Sequence, residues 1–170
     1  MRRTFLIALS VAILLAMGVS AVAESHFGIG VKLVAGQVPF VIGNIKSETI
    51  GIEGGIGLTT YGIEGMGVSV LWYLANGKLY FPIGEFPLSP YVGAGIAGVR
   101  VSVNYFGIEE SANIMGFDAV GGLEFSALQY GIPLVLFVGI DYLWMSLGDL
   151  ETYGLSLSSF SWHIGARLEF

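Results

Sequence analysis

From residue 26 to the last residue the chain alternates, segment after segment, between large apolar positions and small or polar ones. A period of two is that of a β-strand, whose successive side chains point to opposite faces. The final segment shows it best. Phe160, Trp162, Ile164, Ala166, Leu168 and Phe170 share one face, while Ser159, Ser161, His163, Gly165, Arg167 and Glu169 share the other. Phe27, Ile29, Val31 and Leu33 oppose Gly28, Gly30 and Lys32, and Ile50, Ile52, Ile56 and Leu58 oppose Glu53, Gly55 and Gly57. Met66, Val68, Val70, Trp72 and Leu74 form an apolar set against Gly67, Ser69 and Tyr73. Phe117, Ala119, Leu123 and Phe125 oppose Asp118, Gly122 and Glu124, and Leu134, Leu136, Val138, Ile140, Tyr142 and Trp144 oppose Gly139 and Asp141. No helical stripe competes with this pattern.

The alternation predicts eight strands, near residues 26–34, 48–59, 63–74, 79–85, 91–105, 114–126, 133–145 and 157–170. Pro82 makes the fourth short or bulged, because proline removes a ladder donor. In the fifth, Val99, Val101, Val103 and Tyr105 share a face opposite Arg100, Ser102 and Asn104, and a bulge near Gly98 would correct its phase. Asn76-Gly77 is the strongest two-residue hairpin signal in the chain. Residues 60–62 and 86–90 read as further turns, and 35–47, 106–113 and 146–156 as longer connections.

An even number of alternating strands of ~10 residues reads as an all-β, closed antiparallel eight-stranded transmembrane β-barrel of meander topology. Closure leaves no unpaired backbone edge for hydrocarbon to penalise. On that reading the apolar faces meet lipid and the charged faces a narrow lumen. Lys32, Glu53, Arg100, Asp118, Glu124, Asp141, His163, Arg167 and Glu169 then form a luminal charge network, in which buried charges must pair. Tyr61, Tyr91 and Tyr130 near one rim, and Trp72, Tyr105 and Trp144 near the other, are candidates for two interfacial aromatic girdles. A lipocalin-like soluble barrel is the alternative. Against it, the polar faces are glycine-rich and poor in the lysine and glutamate that a solvated exterior needs.

Composition and the N-terminus fit the same picture. Hydrophobic residues make up 54% of the chain and charged residues only 12%, yet after the N-terminal stretch no run of ~20 apolar residues exists to form a spanning helix. Arg2 and Arg3 precede an apolar run from Leu6 to Met17, and Ala21-Val22-Ala23 fits a signal-peptidase site. Residues 1–23 are therefore expected to be a cleaved signal peptide, and residues 24–170 one barrel domain. The net charge of −6, with few basic residues, argues against nucleic acid as a partner. Without cysteine there is no disulfide framework, thiolate metal site or lipid-attachment point.

Two stretches carry a resemblance. Pro90-Tyr91-Val92-Gly93-Ala94-Gly95-Ile96-Ala97-Gly98 and Gly121-Gly122-Leu123-Glu124-Phe125 resemble consecutive strands of the small outer-membrane barrel family related to OmpX and the OmpA transmembrane domain. The C-terminal Trp162, Ile164, Ala166, Leu168 and Phe170 resemble the signal read by the outer-membrane assembly machinery. The resemblance implies a monomeric, porin-like integral protein of the cell outer membrane, with lipid and that machinery as partners and a structural or surface role in the cell envelope.

Candidate chemistry is sparse. The only histidines are His26 and His163; His163 shares its face with Ser161 and Glu169, the sole hint of a lipid-modifying enzyme. A luminal hydrogen-bonding histidine is the simpler reading, and no catalysis is expected. Glu109-Glu110 lacks metal-ligand spacing. Gly93 to Gly98 fits a dinucleotide-binding pattern in form only, since Val99-Arg100-Val101 continues as a strand where a helix is required. No cofactor or metal is expected.

Overall fold

A computed structural model describes residues 25–63, 66–105, 108–146 and 156–170. The expected signal peptide lies outside these residues. Eight strands follow in order: β1 (His26–Val34), β2 (Val38–Lys46), β3 (Ile50–Ile63), β4 (Met66–Tyr80), β5 (Leu88–Tyr105), β6 (Ile108–Ser126), β7 (Leu134–Ser146) and β8 (Ser156–Glu169). Each pairs antiparallel with the next, and β8 closes on β1 through Gly28↔Glu169 to Val34↔His163. The chain is a closed eight-stranded meander barrel. No helix among the described residues is long and apolar enough to cross a membrane.

Both described termini lie at one end, here the near end, where Phe27 and Phe170 exchange backbone hydrogen bonds. The β2–β3, β4–β5 and β6–β7 connections are at this end, and the other four at the far end. Strand lengths are unequal. β1 and β2 have 9 residues each, whereas β5 and β6 have 18 and 19. The wall is therefore low at the β1–β2 turn and tall at β5–β6.

The alternation sorts the faces. Phe27, Ile29, Val31, Val41, Ile45, Ile52, Ile56, Phe117, Leu136, Val138, Ile140 and Ile164 are exposed on the outside. Lys32, Asn44, Glu53, Asn76, Lys78, Asp118, Glu124, Asp141, His163, Arg167 and Glu169 are buried inside. This inverts the polarity of a soluble barrel. On the tall wall the outer face turns polar beyond Gly98, where Arg100 is exposed and donates to Ser111 at 3.4 Å.

The eight strands are not the eight expected. Residues 38–46, read as part of the 35–47 connection, form β2; Pro39 sits ahead of the β2–β3 ladder, which starts at Phe40↔Gly57. Residues 79–85 are not a separate strand, because β4 runs on to Tyr80 and 81–87 is the connection. Asn76-Gly77 makes no turn. It lies inside β4, opposite Gly95 and Ala94 of β5, and Gly77 has no positive φ. Residues 60–62 likewise belong to β3. Among the described residues a tight hairpin turn is found at Ala35-Gly36, with φ of 51° and 69° and a Gln37 N–H to Val34 C=O bond of 3.1 Å. Two positive φ angles define a type I′ turn, and alanine is a poor advertisement for one. No bulge occurs at Gly98; the β4–β5 register is continuous.

Candidate functional site

The lumen holds what chemistry the barrel has, in two layers. An eight-stranded barrel is just wide enough for side chains to fill. Strand pairing brings charged residues from seven strands into the near half. Glu53 of β3 accepts from Lys78 of β4 at 2.5 Å and faces Lys32 of β1 at 3.8 Å. Lys32 donates to Asp141 of β7 at 3.0 Å. Asp141 accepts from His163 Nδ1 at 2.6 Å, and His163 Nε2 meets the Tyr91 hydroxyl at 2.7 Å. The result is an unbroken chain from Lys78 to Tyr91 through six strands.

A second cluster lies closer to the termini. Arg167 reaches Glu124 at 2.7 Å and Glu169 at 2.6 Å, and Lys46 pairs with Glu124 beneath the Tyr80 ring. Lys78 sits 4.7 Å from the Tyr91 ring centroid, adding a cation–π contact. Four lysine and arginine cations thus face five carboxylates. Asp118 is the carboxylate without an ion pair among the described residues. It accepts from Asn76 Nδ2 at 2.7 Å, and its Oδ1 is buried without a partner.

The far half of the lumen is apolar. Phe40, Ile42, Leu74 and Ala97 form a core there, with Val34, Val38, Trp72 and Leu143 packed against it, and Phe137 joins the cluster from the level of the charges, under Arg167 and Lys78. Between this layer and the charges lies a cavity of about 190 Å³. Its floor is Lys32, Asp118 and Asp141, its walls include Phe40, Trp72, Leu74, Ala97 and Leu143, and it reaches Ala35 at the low rim.

Eight of the nine residues expected in the lumen are buried there: Lys32, Glu53, Asp118, Glu124, Asp141, His163, Arg167 and Glu169. Arg100 is not. It points outward on the tall wall, because β5 keeps one phase along its whole length and places Val99 inside. The same phase turns Gly93, Gly95 and Ala97 inward rather than toward lipid. Lys46, Lys78, Asn44, Asn76 and Tyr80 were missed as luminal residues. Lys78 and Asn76 were hidden by the hairpin signal, and Lys46 and Asn44 by the reading of β2 as a loop.

The girdle residues divide. Trp144 faces outward, stacked on Phe117 with ring centroids 5.9 Å apart, and Tyr130 is exposed at the near end. Tyr91 and Trp72 turn into the lumen, Trp72 with Val70 and Leu74, so the apolar set read from sequence on β4 faces inward, while Leu71 and Leu79 are exposed outside. Tyr61 lies at the far end, not the near one, on the lumen-side parity of β3. Tyr105 ends β5, and its side chain is outside the described residues. On β8, Trp162, Ile164, Leu168 and Phe170 are exposed on the outer face, with Ala166 between them. His163 is fully buried, with both ring nitrogens bonded to Asp141 and Tyr91, so the Ser161–His163–Glu169 arrangement weighed from sequence does not form. No group of three or more potential metal ligands occurs among the described residues.

Solved structures share this architecture. The N-terminal barrel of Pseudomonas aeruginosa OprF superposes with a TM-score of 0.57 at 13% identity, covering 86% of this chain and 96% of its own. The chain has the fold of the small eight-stranded outer-membrane barrels. The Neisserial surface protein A matches with a TM-score of 0.57 at 14% identity, covering 86% and 96%. Ail, the attachment invasion locus protein of Yersinia pestis, solved with the heparin analogue sucrose octasulfate, matches at 0.59 and 18%, covering 86% and 97%. No protein-family model matches the sequence, and no curated protein does.

Proposed function

We propose that the chain is an integral outer-membrane barrel with a structural or surface role in the cell envelope, acting without catalysis, its lumen closed by its own side chains. One observation carries the reading. The barrel wears its aliphatic and aromatic side chains outside and keeps its ion pairs inside. That polarity suits hydrocarbon, where a closed barrel satisfies every backbone group internally. In water it would leave an apolar surface far beyond the few hundred Å² that soluble monomers expose. The likeness to OprF, the Neisserial surface protein and Ail supports the membrane setting.

Within this proposal residues 1–23 direct export and are removed, and the monomer sits in outer-membrane lipid. Strand β8, ending on Phe170, is the segment presented to the assembly machinery. The test is the membrane fraction of expressing cells. The protein is expected to resist carbonate extraction and to migrate faster on gels unheated than boiled, as closed barrels do. Recovery as a soluble periplasmic protein would overturn the reading. Reconstituted in planar bilayers, it is expected to give no steady conductance, because the Lys78-to-Tyr91 chain and the Arg167 cluster fill the near half of the lumen.

A further inference from the structure

We infer that the cavity in the far half of the lumen is a binding site for a small organic cation: an ammonium group on an apolar body about the size of one ring. The inference goes beyond the envelope role and rests on the interior of the barrel alone.

Three observations converge on it. The cavity measures about 190 Å³ and is walled mainly by Val34, Phe40, Leu74, Ala97 and Leu143. An apolar cavity of about 150 Å³ already accepts benzene. Its floor bears excess negative charge. Lys32 is held by Asp141 at 3.0 Å and Glu53 at 3.8 Å, while Asp118 has only the neutral Asn76 as a described partner. Asp118 is 5% exposed, and its Oδ1 is buried without a hydrogen bond. A buried carboxylate left unmatched is costly, and a cation held at the floor that Asp118 lines offsets that cost electrostatically.

The surroundings select against other guests. An anion would meet Asp118 and Asp141 at the floor, and Lys32 is already neutralised by two carboxylates. A plain hydrocarbon would leave Asp118 Oδ1 unpaired. Trp72 is also the aromatic side chain that best attracts a cation to its face. Entry is over the low rim, because the cavity reaches Ala35 in the β1–β2 turn.

The test uses the folded full-length barrel in zwitterionic detergent, with methyl and amide resonances of Leu74, Ala97 and Leu143 as reporters. Benzylammonium is titrated against its neutral isostere benzyl alcohol and against benzoate. Benzylammonium is expected to shift these resonances saturably. It should bind about ten- to a hundredfold more tightly than benzyl alcohol, the factor of one charge-assisted hydrogen bond. Benzoate should not bind. Asp118→Asn keeps the shape and should erase the preference for the cation. If that variant does not fold, Ala97→Phe, which fills the cavity from its apolar wall and leaves every charge in place, should abolish the shifts. Equal affinity for benzylammonium and benzyl alcohol, unaltered binding in either variant, or no saturable shift at all would overturn the inference.

Discussion

At the scale of single residues, the interior is decided by who partners whom. Glu53 is buried between Lys78 and Lys32, and removing its charge strands Lys78 and leaves Lys32 to Asp141 alone. Breaking a buried pair from one side costs about 3–5 kcal/mol, whereas replacing both partners by apolar groups of similar volume costs far less. Glu53→Met should therefore lower the unfolding free energy by about 3 kcal/mol, and Glu53→Met/Lys78→Met by clearly less than the two single losses added. Urea titration of the barrel in lipid vesicles reads both. Ala35 offers the opposite sign. An L-residue at φ 51° carries local strain that asparagine tolerates better. Ala35→Asn should stabilise by up to about 1 kcal/mol in the same titration, without moving the far ends of the strands. Residue-level legibility followed parity. Charges on strands whose period was intact were placed correctly, and Arg100, Lys78 and Lys46 were lost where a turn signal or a phase error intervened.

At the scale of the element, glycine and aromatic residues trade places across neighbouring strands. Tyr91 lies opposite Gly122, Phe137 opposite Gly165, His163 opposite Gly139 and Phe40 opposite Gly57. Each ring occupies the space that the missing Cβ leaves; a Cβ at Gly122 would come within 2.7 Å of the Tyr91 hydroxyl oxygen. Outward glycines differ. Gly43, Gly54, Gly77 and Gly121 have no neighbour nearer than 3.8 Å to an added Cβ. Gly95→Ala, whose methyl would meet Asn76 and the Ala75 carbonyl, is thus expected to destabilise by about 2 kcal/mol or more, as overpacking does. Gly121→Ala should be neutral or slightly stabilising. Comparing the two urea midpoints checks the pair. This is also why β2 and the middle of β4 were illegible. Local turn chemistry at Asn76-Gly77 and Pro39 points one way, while luminal packing of Asn76 on Asp118 and pairing of β2 on both sides override it.

At the scale of the whole molecule, fold class was legible because period-two alternation survives local mistakes. A strand missed at 38–46 and one wrongly drawn at 79–85 compensate, so the count of eight held. The cavity was invisible in sequence. It depends on Trp72 and Leu74 facing inward, and an apolar strand face does not announce which side it takes. The proposed assembly role of β8 is testable at this scale as well. Deleting Phe170 should slow insertion in cells, with the folded fraction read as unboiled gel mobility. It should leave the urea midpoint of the refolded barrel nearly unchanged, because Phe170 is 69% exposed at the end of the wall.

The unequal strands have a consequence for the surrounding bilayer. Nine residues tilted at ~45° rise only ~20 Å, short of the ~25 Å apolar band typical of such barrels. Lipid tails beside β1 and β2 must compress or splay to keep their headgroups hydrated, at a fraction of a kcal/mol for each Å. The barrel should therefore carry a collar of thinned, disordered lipid on one flank only. Spin labels placed at Val31 and Val41 should report shallower, looser chains than one at Phe117.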